Sequence, residues 1–247
     1  MPIMIDYPAT PTGEPRRMNA ESLARHADGL RHQLFGMRSK PIDVEELVAK
    51  TKRLMVNRRG VRIAWDIEHD VQDNKGKPVL GVCEVDSEAP DTVMISVNGA
   101  RLADRPEVFR STAVHELAHA IFDMPAALGG NGRKTFWTSA ADTPGVDAID
   151  WTEWRADEFM GAFLAPLQQL ARAVAKQAGA MGISVRWRAG RNGLAAPFLD
   201  LEPSSEMIDW LVDALAETFG VTPAFIAVRL KKGGFIARRP RNNDGRQ

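Results

Sequence analysis

The spacing of apolar and polar positions divides the first half of the chain into two helices followed by strands. Apolar residues recur every three or four positions over 19–34 and again over 43–54, which predicts two amphipathic helices. Three β-rich runs follow at 61–67, 78–85 and 92–97, and turn residues separate them. These runs predict a small, mostly antiparallel, three-stranded sheet and therefore an α+β fold.

The second half alternates helical periodicity with irregular stretches. The predicted helices are 106–122, 151–178, 204–219 and 223–231. A break is expected at Pro166, because proline has no amide hydrogen to donate. The Gly-, Ala-, Thr- and Asp-rich stretch 126–150 predicts a long loop. Residues 184–203 are compatible with either a hairpin or an irregular insertion.

Length and composition favour one main domain with short extensions. A chain of 247 residues can bury one sizeable core or two small ones, and we expect a single domain over 18–236. Prolines and weak periodicity predict a flexible lead-in over 1–17. The helical end 204–236 completes the domain, and 237–247 is expected to be a disordered basic tail.

Charge and cysteine content narrow the possible partners and metal ligands. Lys and Arg together number 32 and equal Asp plus Glu, so the overall charge does not favour nucleic acid. The sequence has neither an apolar signal region nor a membrane-spanning run, which predicts a cytoplasmic protein without a membrane partner. With Cys83 as the single cysteine, a metal site must use histidines and carboxylates.

The strongest chemical signal is the pattern H-E-x-x-H inside the predicted helix 106–122. His115 and His119 stand about one helical turn apart, so both imidazoles can reach one zinc ion. Glu116 projects at a neighbouring angle, where its carboxylate can act as a general base that activates water. Coincidence is the competing explanation, but an ionised glutamate in an apolar helix is costly to bury unless a cation compensates it.

A third ligand is expected from the next helix. A catalytic zinc keeps one position open for water, so one further protein ligand suffices, and Glu153 is our candidate. Asp157, one turn later, is expected to accept the remaining N–H of a ligand histidine and fix its orientation. Asp150 and Glu158 compete for the ligand role, and Glu153 could instead be a solvated acid that stabilises the helix start.

Three motifs resemble the ImmA/IrrE family of metallopeptidases, within the gluzincin group of zincins. R-S-T-A-V-H-E-L-A-H-A at 110–120 is similar to the family's Arg-x-x-x-AHELGH segment. The segment 153–166 resembles E-x-x-A-N-x-F-A-x-x-L-L-M-P, and its Glu153 and Asp157 reproduce the gluzincin E-x-x-x-D pattern. F-G-V-T-P-A-F-I-A-V-R-L at 219–230 looks like the family's helix-turn-helix-like end.

The resemblance implies a zincin-like, mainly helical metallopeptidase domain that holds one zinc ion per chain. It also implies hydrolysis of a peptide bond in a protein partner, a helix-turn-helix transcriptional repressor being the expected substrate. An extended substrate would pair with the edge of a sheet, and the strand 92–97 is a candidate for that edge. The alternative is an edge strand with no role in substrate binding. Tyr7, the single tyrosine, lies in the predicted lead-in, so no residue is assigned to stabilise the oxyanion.

Two other classes of function compete with a peptidase. A DNA-binding regulator is suggested by the helical pair 204–231 and by basic residues at and beyond its end, although such a run is more often a solvated tail. These basic residues are Lys231, Lys232, Arg238, Arg239 and Arg241. A non-proteolytic, metal-binding interaction protein is the other alternative, and replacing Glu116 separates it from an enzyme.

Overall fold

The computed structural model describes most of the chain as two compact units. The described residues are 3–36, 41–138, 150–189, 195–199 and 205–235. The first unit comprises Met1–Pro166 with Phe219–Thr222, and the second comprises Leu167–Thr218 with Pro223–Gln247. The predicted tail 237–247 lies outside the described residues.

Nine helices and eight strands occupy the described ranges. The helices are α1 (Ala20–Phe35), α2 (Val44–Thr51), α3 (Gly99–Leu102), α4 (Pro106–Phe122), α5 (Met124–Ala127), α6 (Trp151–Leu164), α7 (Leu167–Ala180), α8 (Ser205–Phe219) and α9 (Pro223–Gly233). The strands are β1 (Ile3–Ile5), β2 (Arg53–Val56), β3 (Arg59–Asp66), β4 (Gly81–Val85), β5 (Thr92–Val97), β6 (Thr135–Thr138), β7 (Val185–Ala189) and β8 (Ala195–Leu199).

The first unit is built on a mixed sheet of six strands in the order β1-β2-β3-β5-β4-β6. β1 runs parallel to β2 and β3 runs parallel to β5, whereas the other neighbouring pairs are antiparallel. The fold is α+β, but the predicted three-stranded sheet is wrong. Three of the six strands have four residues or fewer, and their hydrophobic alternation is too short to be distinctive.

Strand β2 shows why the periodicity misled. Leu54 continues the apolar spacing of the predicted helix 43–54, yet α2 ends at Thr51 and Leu54 is fully buried in the sheet. Asn57 and Arg58 both have positive φ, as the type I′ turn of a two-residue hairpin requires, and they connect β2 to β3. The hairpin turn, rather than the helical spacing, therefore determines the structure of Arg53–Val56.

The segment expected to be a flexible lead-in is packed against the rest of the first unit. Its residues Ile3–Ile5 form β1, and the side chain of Tyr7 is buried. The Tyr7 hydroxyl donates hydrogen bonds to the carbonyl oxygens of Ile121 and Phe122, at 2.8 and 3.2 Å. These two carbonyls belong to the last turn of α4, which would otherwise lack partners for them.

Helix α4 lies at the centre of the first unit. Every residue over 112–122 is buried, because α4 packs on β4 and β5 on one side and on α6 on the other. A helix enclosed in this way is apolar around its circumference rather than along one stripe. α6 also packs against α1, which completes the helical layer. The arrangement holds α4 and α6 side by side.

The second unit contains the hairpin β7–β8, which packs on α7, together with α8 and α9. The stretch 184–203, left open between a hairpin and an insertion, therefore contains a hairpin in its described part. α8 and α9 meet at a bend of 104°. No single helix in the described ranges is long and apolar enough to cross a membrane, and this bent pair meets the criterion by length and composition only.

Candidate metal centre

Three side chains from two helices converge in the first unit. His115 and His119 project from α4, and Glu153 projects from the first turn of α6. The two Nε2 atoms lie 3.1 Å apart, and Glu153 Oε2 lies 3.2 Å from the first and 3.5 Å from the second. One ligand atom from each residue falls within 4.8 Å of the other two, so the three could hold a metal ion.

The start of α6 determines where Glu153 lies. Asp150 is the N-cap of this helix, and its side chain accepts hydrogen bonds from the backbone N–H groups of Thr152 and Glu153. Asp150 therefore positions the ligand helix rather than joining the cluster. Glu158, the other competitor, also lies outside the group of possible ligands found among the described residues.

A carboxylate lies close to the Nδ1 atom of each histidine. Asp157 Oδ1 lies 3.2 Å from His115 Nδ1, and Asp123 Oδ2 lies 2.9 Å from His119 Nδ1. A carboxylate at Nδ1 requires a hydrogen on that nitrogen and leaves Nε2 to face the metal. The ring of Phe136 stacks on His119 at 4.4 Å, which further restricts this imidazole.

The carboxylates around the cluster favour the protonated form of both histidines. Burial lowers the pKa of His115, but hydrogen bonds with Asp157 and Glu153 outweigh burial and raise it from 6.5 to about 10. Burial also lowers the pKa of His119, but hydrogen bonds with Asp123 and Glu153 outweigh burial, so this pKa is raised. The hydrogen bonds to both histidines outweigh burial at Glu153 and hold its pKa well below the usual range. A metal ion must therefore displace protons to bind.

Glu116 is fully buried beside this cluster. Its Oε1 accepts a hydrogen bond from the Thr138 hydroxyl at 2.6 Å, whereas its Oε2 has no hydrogen-bond partner among the described residues. Burial raises the pKa of Glu116, against the opposing charges of His115 and His119. A buried carboxylate with one unpartnered oxygen, whose charge interacts with His115, His119 and Glu153, fits a centre that contains a metal ion and a water molecule.

Several other polar and aromatic residues do not belong to the cluster. Tyr7 points its hydroxyl at the end of α4, and His69 is exposed and pairs with Asp66. Trp137 packs against a cluster of buried valines on the opposite side of β6. Trp151 and Trp154 help to line a cavity of about 250 Å³, whose other lining residues are Pro15, Arg17, Met18 and Arg155.

No family model, curated protein or solved structure matches the chain. The fold and the site define an α+β protein in which two buried histidines and one half-buried glutamate could hold a metal ion. The resemblance to the ImmA/IrrE metallopeptidases rests on the three sequence motifs and remains a prediction.

The structure adds three residues to the site that the sequence did not indicate. Asp123 follows His119 by four positions, a spacing that places both on one helix face, so this contact could have been found. Thr138 and Gly81 reach Glu116 from β6 and β4, and only the register between those strands brings them together. Thr138 falls in the stretch 126–150, which was predicted to be a loop.

Proposed function

We propose that this protein is a zinc-dependent endopeptidase of the ImmA/IrrE type that cleaves a protein partner. Two imidazole nitrogens and one carboxylate oxygen are ligands that zinc accepts, and three of them leave a fourth position open for water. The observation that carries the proposal is the buried, unpartnered Oε2 of Glu116 beside His115, His119 and Glu153. A structural metal site is closed by four protein ligands and does not require a general base beside it.

Each residue of the site has its own role in peptide hydrolysis. A bound zinc ion supplies Lewis acidity toward the attacking water and the scissile carbonyl. Glu116 accepts the proton of the water at Oε2 and then donates it to the leaving amine. Asp123 and Asp157 keep His119 and His115 in the orientation that directs Nε2 toward the centre.

The sheet offers an edge strand for the substrate, but it is not 92–97. That segment is β5, which lies between β3 and β4, so the suggestion that it is an edge is wrong. β6 ends the sheet on the side of the site, since its Thr138 contacts Glu116. An extended peptide that added to β6 would run alongside the candidate centre. A helix-turn-helix repressor remains the proposed substrate on the sequence resemblance alone.

Metal content and hydrolysis test the proposal together. The native protein and the variants His115→Ala, Glu153→Ala and Glu116→Gln are loaded with zinc, desalted and analysed by mass spectrometry. His69→Ala serves as the control, because the His69 side chain is 77% exposed and does not belong to the cluster. We expect about one zinc per chain in the native protein, the control and Glu116→Gln, and loss in the other two variants.

The same preparations are then incubated with a library of internally quenched fluorogenic peptides. Hydrolysis by the native protein and the His69→Ala control, but not by Glu116→Gln, supports the peptidase. Zinc binding without hydrolysis of any peptide favours the non-proteolytic alternative. Full zinc retention in Glu153→Ala shows that the third ligand is another residue.

A further inference from the structure

We propose that Thr138 is a positioning residue that holds one oxygen of Glu116, so that the other oxygen alone takes the proton of water. This role rests on the proposed peptidase function and adds a residue to its machinery. A carboxylate has two equivalent oxygens and turns about its own bond unless a partner fixes it. Thr138 is the partner that distinguishes the two oxygens here.

Contacts around the carboxylate support this role. The Thr138 hydroxyl donates to Oε1 at 2.6 Å, the short distance typical of a hydroxyl on a charged oxygen. Oε2 is equally buried and has no partner among the residues that the structure describes. A fully buried carboxylate oxygen without a partner is costly, and water at the centre would relieve that cost.

The strand register places a glycine where the carboxylate of Glu116 needs space. Gly81 of β4 pairs with Thr138 of β6, so the two residues flank the same carboxylate. A Cβ atom on Gly81 would lie 2.6 Å from Glu116 Oε1 and 2.7 Å from a methyl carbon of Thr112. Only a residue without a side chain leaves room at that point for the oxygen that Thr138 holds.

The branched side chain of threonine suits a fixed donor. Its Cβ carries both a methyl and a hydroxyl group, which restricts the rotamer about χ1 and keeps the hydroxyl in one direction. Serine retains the donor but turns more freely, and valine retains the shape without the donor. The order of function expected at position 138 is therefore threonine, then serine, then valine.

A double-mutant cycle tests whether the hydrogen bond exists in solution. The melting temperature of the zinc-loaded full chain is measured for Thr138→Val, Glu116→Met and the double variant. We expect Thr138→Val to lower the melting temperature in the native background and to have little effect in the Glu116→Met background, because no carboxylate then remains to be satisfied. Thr135→Val is the matched control, since Thr135 is on the same strand, is half-buried to a similar degree and faces the opposite side.

Steady-state kinetics test the positioning role. The substrate is a fluorogenic peptide that the native protein cleaves, taken from the library described above. Thr138→Val should lower kcat about tenfold or more with KM changed less than about twofold, because the base is disturbed and binding is not. Thr138→Ser should restore most of kcat, and Thr135→Val should match the native protein.

The outcomes separate this inference from the proposed function. Additive melting shifts, or an unchanged kcat in Thr138→Val, would overturn the role of Thr138 while hydrolysis by the native protein upheld the peptidase. Failure of Thr138→Ser to recover kcat would also overturn it, because the hydroxyl would then not be the active feature. If the native protein cleaves no peptide, the proposed function fails and the positioning role fails with it.

Discussion

The two histidines of the candidate metal centre differ in how strongly their neighbouring carboxylates are shielded from solvent. Asp123, behind His119, has a side chain only 8% exposed and is also bonded by Arg155, whereas Asp157, behind His115, has a side chain 60% exposed. Solvent screens a charge in proportion to its exposure, so the buried carboxylate acts on its imidazole through a lower effective dielectric. His119 should therefore depend on its carboxylate more than His115 does.

Neutralising each carboxylate tests this difference. We expect Asp123→Asn to weaken zinc binding about tenfold to a hundredfold, and Asp157→Asn to weaken it less than about tenfold. Asparagine keeps the size and a carbonyl acceptor but removes the charge, so each variant is the control for the other. Affinity is measured by competition with a chromophoric chelator. Equal losses in the two variants would show that burial does not determine the contribution.

At the scale of elements, the site depends on how closely α4 approaches the sheet. Gly81 lies in β4 against Glu116 and Thr112, and it has no conformational need for glycine because its φ is negative. Its lack of a side chain is therefore a packing requirement. Gly60 of β3 also has a negative φ, but an added Cβ would meet only the sulfur of Met55, at 3.9 Å.

Alanine at these two glycines should have different effects. Gly81→Ala forces a methyl group into occupied space, which we expect to lower the free energy of unfolding by about 1–3 kcal/mol. Gly60→Ala should change it by less than about 1 kcal/mol, because the space beside Gly60 is open. Urea unfolding followed by circular dichroism measures both. A stable Gly81→Ala protein would mean that α4 and β4 can separate without cost.

The elements differ in how far the sequence could predict them. α4 and α6 have long apolar segments with clear starts, at Pro106 and after Asp150, and the structure places them where periodicity did. β1 and β6 have three and four residues, and each is defined by pairing with a distant strand. Local patterns carry little information about such pairing. The cluster of His115, His119 and Glu153 was therefore predictable, whereas the contact of Thr138 with Glu116 was not.

For the whole molecule, the proposed metal ion would compete with protons for the same group of side chains. The pKa of His115 in the metal-free protein is raised from 6.5 to about 10. Because the folded state binds this proton more tightly than the unfolded state, its contribution to stability is complete below pH 6.5 and is lost as pH rises toward 10. Zinc requires the neutral imidazole, so its contribution has the opposite dependence on pH.

The stabilisation that zinc provides should therefore grow with pH. We expect the melting temperature of the zinc-loaded protein minus that of the metal-free protein to increase steadily between pH 6.5 and about 10. Differential scanning fluorimetry at a fixed zinc concentration measures it across the range. His115→Ala should show little difference at any pH. A difference that shrinks as pH rises would mean that zinc does not bind through this histidine.

The contact of Tyr7 with the end of α4 also constrains the order of events during synthesis. Tyr7 leaves the ribosome before α4, and its hydroxyl bonds to the carbonyl oxygen of Ile121, 114 positions later. Translation proceeds at about 5–20 residues per second, so Tyr7 waits several seconds or longer for its partner. β1 must likewise wait for β2, to which it pairs. The strand β1 thus stays unpaired until β2 has emerged, and the Tyr7 hydroxyl lacks its partner until the helix with both histidines has emerged, so chaperones can bind the nascent chain in these intervals.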